Sequence, residues 1–310
     1  MYEKRFALTR RPFPATPDSS LYYPATEHEA VLARLQQAIA DNDGFAVLTG
    51  APGTGKTLLG MNLLERLGPN VASAFLTNSH FPDRGGLLQA ILYDLGLPYE
   101  GGREQVLRLR LTEHLLNNCK ENKKTILLVD EAQNLLPDHL EELRLLGNLE
   151  AGPRRALHVV LLGQTSLLDL LRQPQQAALR QRLAMRLLVP PLDVEESVDY
   201  LLHHLRLAGG RPERIIDEAG LEVLARGTQG VPRLLNQAAH QALLLADAGE
   251  LSQVDAEAAL EALAMLGLEE GRTQENEEEE LMQRRRPLDL DPKVPEDLPV
   301  RLAEETRRPA

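Results

Sequence analysis

FAVLTGAPGTGKT, at residues 45–57, joins a short apolar run to a glycine-rich turn. The turn has the spacing Gly-x-x-x-x-Gly-Lys-Thr, and residues 57–67 continue with helical periodicity. A strand, a glycine-rich loop and a helix in this order form an anion site, because backbone N–H groups and the helix N-terminus face the bound phosphate. We therefore predict a nucleoside triphosphate site formed by Gly50, Ala51, Pro52, Gly53, Thr54, Gly55, Lys56, Thr57 and Leu58.

Two carboxylates follow a second apolar run, ILLVDE at residues 126–131. At the carboxyl end of a buried strand, Asp130 would face the phosphate site and hold Mg²⁺ together with the Thr57 hydroxyl. Glu131 is suited to act as the general base for an attacking water, while Lys56 places positive charge on the β and γ oxygens. The alternative is a strand that ends in an acidic turn. We predict hydrolysis, since a second carboxylate is not needed for binding alone.

Further apolar runs indicate a parallel sheet that is covered on both faces. They lie at residues 45–49, 71–77, 125–129, 158–162 and, more weakly, 186–189, and helical segments separate them. This alternation predicts a three-layer αβα core of the P-loop NTPase type with right-handed crossovers. Thr26 and Glu29 have the spacing of a capping box, which predicts the start of a helix before the first strand. Residues 191–268 read as helical throughout.

Gln164 follows the run at residues 158–162 and is a candidate for a residue that senses the γ-phosphate. A loop-capping amide is the alternative. Arg233 follows Pro232, a residue suited to the first turn of a helix. The helix dipole does not favour a cation there, so Arg233 indicates an anionic partner, for which ATP is the candidate.

Three arginines, Arg180, Arg182 and Arg186, form a cluster in the run LRQRLAMR. Helical spacing would place Arg182 and Arg186 on one face. Such a face is either solvated or supplies an arginine finger, a guanidinium that reaches the γ-phosphate of a neighbouring subunit and offsets transition-state charge. We take Arg182 as the preferred finger.

Composition narrows the remaining possibilities. The 310 residues carry a formal net charge of −12, which argues against a broadly basic nucleic-acid surface. The one cysteine, Cys119, excludes an internal disulfide and a cysteine zinc site, and we expect it to be buried. No apolar run approaches the length of a membrane span, and we expect a cytoplasmic location. The sparse apolar content after residue 268 predicts a disordered acidic tail.

Several motifs together resemble those of the AAA+ ATPases, in the branch of bacterial secretion-pathway A proteins (ExeA/GspA type) and their transposition relatives (TniB/TnsC type). The likeness spans about residues 1–266. It rests on FALT at 6–9, Pro-Phe at 12–13, Pro-Asp at 17–18, DEAQNLLPDHLEELRLLGNLE at 130–150, LLGQ at 161–164, LRQRLAMR at 179–186 and GVPRLLNQ at 230–237.

The resemblance implies a nucleotide-binding domain, which corresponds to residues 1–190, and a helical lid, which corresponds to 191–268. The composition separates residues 269–310 as the tail. The resemblance also implies ATP with Mg²⁺, and places an N-terminal segment, residues 1–25, near the adenine. It makes Gln164 the sensor-1 residue, Arg233 the sensor-2 arginine and Arg182 or a neighbour the finger of a homo-oligomer, a ring or a filament. The sequence shows neither the membrane span nor the peptidoglycan-binding extension of the secretion type.

The leading functional hypothesis is an ATP-hydrolysing motor or switch that acts on an unidentified protein client. The alternative is an ATP-dependent DNA-binding adaptor of the transposition type. Its candidate DNA contacts are Arg84, Arg103, Arg108 and Arg110, for which a solvated helix surface is the alternative. A third possibility is a scaffold whose tail docks a partner.

Overall fold

Five parallel strands form the central sheet of the computed structural model, which describes residues 2–268. Along the chain the strands are β1 (Phe45–Gly50), β2 (Val71–Leu76), β3 (Lys124–Val129), the two-residue strands β4 (Glu150–Ala151) and β5 (Arg154–Arg155) of a separate hairpin, β6 (His158–Gly163) and β7 (Leu183–Val189). Their order across the sheet is β2-β3-β6-β1-β7. β6 therefore lies between β3 and β1, the strand that leads into the phosphate loop.

Burial of the strands follows their place in the sheet. Every residue of the central strands β1 and β6 is buried, whereas the edge strand β7 alternates between exposed and covered positions. The predicted strands are confirmed, but β7 begins at Leu183, three residues earlier than expected. Exposed Arg186 interrupts its apolar run, which is tolerated because an edge strand is not covered on all sides.

Helices cover both faces of the sheet, so the predicted three layers are confirmed. The helices before the C-terminal region are α1 (Tyr2–Arg5), α2 (Thr26–Ala40), α3 (Lys56–Leu67), α4 (Arg84–Asp94), α5 (Glu104–Lys120), α6 (Pro137–Leu146), α7 (Ser166–Arg172) and α8 (Ala177–Arg180). Successive residues of β1 point to opposite layers. Val47 joins the cluster formed with α4 to α7, and Leu48 joins the cluster formed with α2 and α3.

The C-terminal part of the described chain is helical, as predicted. It comprises α9 (Val194–Leu207), α10 (Glu218–Gly227), α11 (Pro232–Ala248) and α12 (Ala256–Met265). Their apolar faces enclose a separate cluster that also takes in Tyr2, Phe6 and Phe13. The Tyr2 hydroxyl lies 2.8 Å from His240 Nδ1 on α11. The beginning of the N-terminal segment thus packs with these helices.

One sequence-based expectation is wrong, and another concerns residues that the structure does not describe. The capping box at Thr26 is wrong, because α2 begins at Thr26 itself and its N–H donates to Glu196 Oε1 at 2.8 Å. Glu29 instead pairs with Arg66 at 2.7 Å and accepts from the Tyr22 hydroxyl, so tertiary partners replace the local cap. The acidic tail, residues 269–310, lies outside the described residues.

Within residues 2–268, no helix is both long and apolar enough to cross a membrane. Cys119 is buried, as expected.

Candidate functional site

The phosphate loop lies between β1 and α3, at the carboxyl edge of the sheet. The Lys56 ammonium is buried and donates to the carbonyl oxygens of Gly50 at 3.0 Å and Ala51 at 2.8 Å. Burial lowers the pKa of Lys56, and the carboxylates of Glu131 and Asp130 oppose that shift. The ammonium therefore lies within the field of both predicted acidic residues.

The loop also contacts the helical region, through Gly53. Its φ of +86° is a left-handed conformation, and a Cβ there would lie 2.8 Å from the Cβ of Arg233. The Arg233 N–H donates to the Gly53 carbonyl at 3.3 Å. Pro232 is the first residue of α11, as the sequence predicted, and the Arg233 charge contributes to the lowered pKa of Lys56. α11 thus starts directly against the phosphate loop.

Thr57 and Asp130 meet as the sequence predicted. The Thr57 hydroxyl donates to Asp130 Oδ2 at 2.5 Å, although 73 positions separate the two residues. The other carboxylate oxygen, Oδ1, accepts the Glu131 N–H at 2.9 Å. The Asp130 N–H donates to the Leu76 carbonyl, which extends the pairing of β3 with β2 by one residue. These contacts hold the Asp130 carboxylate beside the first turn of α3.

The donor set suits Mg²⁺. A hydroxyl and a carboxylate are hard oxygen ligands, and Mg²⁺ binds through one or two such protein groups plus water and phosphate oxygens. Among the described residues, no three His, Cys, Asp or Glu side chains come together as a metal cage. Thr57 and Asp130 would therefore hold the ion jointly with a bound phosphate.

Glu131 and Gln164 are joined by a residue that the sequence reasoning missed. Gln133 Nε2 donates to Glu131 Oε2 at 2.5 Å, and Gln133 Oε1 accepts the Gln164 N–H at 3.0 Å. Gln164 directly follows β6, and its backbone N–H is the group that connects it, through Gln133, to Glu131. The available signal was the position of Gln133, two residues after Glu131 in the DEAQ run.

An apolar cleft adjoins the loop, and sequence reasoning had not resolved its walls. It is lined by Tyr22, Tyr23, His28, Gly55, Leu58, Leu59, Leu192, Tyr200 and Pro232. Burial lowers the pKa of His28, and its buried Nε2 has no hydrogen-bond partner in the structure. The cleft presents aromatic and aliphatic surface with one imidazole.

The arginine cluster does not form the predicted helical face. Arg180 is the last residue of α8, Arg182 follows in a turn, and Arg186 is exposed on β7. Leu183 pairs with Phe45, whereas Val189 pairs with Gly50. Five strand steps, about 17 Å, therefore separate Arg182 from the phosphate loop of its own chain. The helical spacing failed because the edge strand begins immediately after Arg182.

Most of the candidate DNA-contacting arginines form ion pairs or hydrogen bonds with other residues of the chain. Arg84 pairs with Asp138 at 3.0 Å, and Arg110 donates to the Pro98 carbonyl. Arg108 pairs with Glu104 and with fully buried Glu142. Arg103 is exposed at the start of α5. Three of the four candidate arginines therefore have polar partners within the chain.

Residues 39–171 match the family model described as an AAA domain. The phosphate loop and the acidic pair both lie within this range, so the fold and the site geometry agree with the similarity to an AAA domain.

Over 248 residues, the chain is 38% identical to general secretion pathway protein A of Aeromonas hydrophila. The match covers 79% of this chain and 45% of that protein, so the chain spans somewhat less than half the length of its relative.

Solved structures show the same fold. Drosophila ORC bound to DNA superposes with a TM-score of 0.66 at 20% identity, covering 86% of this chain and 65% of that one. The Aeropyrum pernix ORC2 protein, in its ADPNP-ADP complexes, gives 0.63 at 18% identity, covering 82% and 71%. Identities this low establish the fold alone.

Proposed function

We propose that this protein binds ATP with Mg²⁺ and hydrolyses it to ADP and inorganic phosphate. The observation that carries the proposal is the 2.5 Å contact between Thr57 and Asp130, with Glu131 next in sequence and the Lys56 ammonium within their field. These are the groups that phosphoryl transfer to water requires: a cation for the phosphates, two metal ligands and a base.

The residues divide the chemistry among them. Loop N–H groups and Lys56 bind the β- and γ-phosphates. On binding, the Lys56 ammonium would replace its hydrogen bonds to the loop carbonyls with hydrogen bonds to phosphate oxygens. Thr57 and Asp130 would hold Mg²⁺, which when bound would neutralise charge on those oxygens. Glu131 accepts a proton from water as the water oxygen attacks the γ-phosphorus. The bond from that phosphorus to the β–γ bridging oxygen breaks, and ADP leaves.

The apolar cleft is proposed as the site of the base. Its aromatic and aliphatic walls suit a purine ring, and Leu58 joins it to the phosphate loop. Preference for ATP over GTP rests on the family resemblance.

Arg233 is the proposed link between ATP and the helical region. It begins α11, contacts Gly53, and its charge reaches Lys56. A γ-phosphate beside it would attract the guanidinium, so loss of that phosphate would weaken the contact between α11 and the loop. Hydrolysis would thereby change the angle between the helical region, residues 191–268, and the nucleotide-binding domain, residues 1–190.

A homo-oligomer completes the proposed enzyme. Because Arg182 lies at the opposite end of the sheet from its own phosphate loop, it could serve as a finger only for a neighbouring subunit. Gln164, at the end of β6, is proposed to sense the γ-phosphate. The biological setting that we propose is a secretion pathway, after the name of the 38% identical relative.

Phosphate release from ATP tests the core proposal. We expect Mg²⁺-dependent turnover by the full chain, and its loss in Lys56→Ala, because that variant removes the cation nearest the phosphates. Lys120→Ala, at the exposed end of α5, is the matched control and should retain turnover. Thermal melting of each variant verifies folding. Absence of turnover in the wild type, or full turnover in folded Lys56→Ala, would refute the proposal.

A further inference from the structure

We propose that Gln133 is a positioning residue for hydrolysis: its side-chain amide orients the Glu131 carboxylate and links it to the end of β6. This inference rests on the proposed ATP hydrolysis and adds to it a residue that acts through the base. It is drawn from two hydrogen bonds on one amide, which reach two of the predicted site residues.

The first bond fixes the base. Gln133 Nε2 donates to Glu131 Oε2 at 2.5 Å. A carboxylate has about four acceptor positions on its two oxygens, so this bond occupies one oxygen and leaves Oε1 available for a water proton. Because a bond to a charged acceptor is stronger than one between neutral groups, it restricts the rotation of the Glu131 side chain.

The backbone beneath the carboxylate is also held. Glu131 has φ +50°, an uncommon left-handed conformation for a residue other than glycine. Its carbonyl accepts from the Ser79 hydroxyl at 2.6 Å, and its N–H donates to Asp130 Oδ1. Main chain and side chain of Glu131 are therefore constrained from separate directions, as expected for a group whose direction matters.

The second bond links this carboxylate to the neighbouring strand. Gln133 Oε1 accepts the backbone N–H of Gln164 at 3.0 Å. At Gly163, a Cβ would lie 2.7 Å from that same oxygen, so the glycine leaves room for the amide. A shift of the strand end that carries Gln164 would therefore move the Gln133 amide and redirect Glu131.

Two substitutions separate these contacts. Gln133→Met keeps the approximate shape of the side chain and removes both hydrogen bonds. Gln133→Glu keeps an acceptor for the Gln164 N–H but replaces the donor facing Glu131 with a like charge. We expect kcat for ATP hydrolysis to fall about 10- to 100-fold in each, with KM and the ATP dissociation constant unchanged within twofold. Gln105→Met, on the exposed surface of α5, is the control.

The decisive readout is the double variant with Glu131→Gln. If Gln133 acts through the Glu131 carboxylate, Gln133→Met should change the residual rate of Glu131→Gln by less than twofold. An unchanged kcat in folded Gln133→Met and Gln133→Glu would overturn the inference. So would an equal fold-loss in both backgrounds, or a loss confined to ATP binding. A wild type without turnover refutes the proposed function instead, which distinguishes the two failures.

Discussion

Gly230, in the turn before α11, is a position where one added methyl group should strongly disturb the packing of the helical region against the segment that leads into α9. It has φ +68°, and an ideal Cβ there would lie 1.8 Å from the Leu192 carbonyl oxygen. Its own carbonyl accepts the Leu192 N–H at 2.9 Å. Gly230→Ala therefore imposes a left-handed alanine, about 1–2 kcal/mol, and forces backbone apart at a close contact, about 1–3 kcal/mol. We expect the free energy of unfolding to fall by about 2–5 kcal/mol.

Urea denaturation followed by far-UV circular dichroism measures the loss. Gly96→Ala is the matched control, because Gly96 has φ +70° and a Cβ added there would meet no atom within 4 Å. That variant should lose only about 1–2 kcal/mol, so the difference between the two isolates the collision with Leu192. Equal losses in Gly230→Ala and Gly96→Ala would refute this account of the contact between Gly230 and Leu192.

Two further predictions concern assembly and pH. Arg182→Ala should lose most of its ATPase activity alone and regain part of it when mixed with Glu131→Gln, since a mixed interface pairs an intact base with an intact finger; no recovery at any mixing ratio would contradict a finger supplied by a neighbour. His204 is buried, and its Nδ1 lies 3.0 Å from the Pro12 carbonyl oxygen, whereas its Nε2 has no hydrogen-bond partner. Burial lowers the pKa of His204 to about 4. Between pH 6.5 and 4 the unfolded chain binds a proton that the folded chain excludes, so stability should fall with decreasing pH by at most about 3 kcal/mol from this residue. His204→Gln should show a shallower fall in urea midpoint over that window, and an unchanged slope would remove His204 as a cause.

The sheet and phosphate loop could be predicted because their signals are local. Continuous apolar runs mark the buried strands, and the glycine and lysine spacing marks the loop. The first residue of β7 was harder to predict from the sequence, because an edge strand that exposes Arg186 has no continuous apolar run. For the same reason, a helical spacing assigned to Arg182 and Arg186 was wrong.

The parts of the site that escaped prediction depend on contacts between distant segments. Gln133 gains its place from Gln164, 31 positions away, and Thr26 loses its expected cap to Glu196, 170 positions away. The cleft beside the loop is lined by Tyr22 and Tyr200, which are far apart in the sequence. Periodicity and spacing report on neighbours in sequence, so they carry little information about such pairs.

One measurement tests the central claim most directly: the fate of radiolabelled ATP bound with Mg²⁺ to the wild type and to Glu131→Gln, followed in a single turnover. We predict equal binding by both proteins, release of labelled phosphate by the wild type, and retention of intact ATP by Glu131→Gln. Phosphate release at the wild-type rate from the variant would contradict the role of Glu131 and the assignment of this pocket as the catalytic centre.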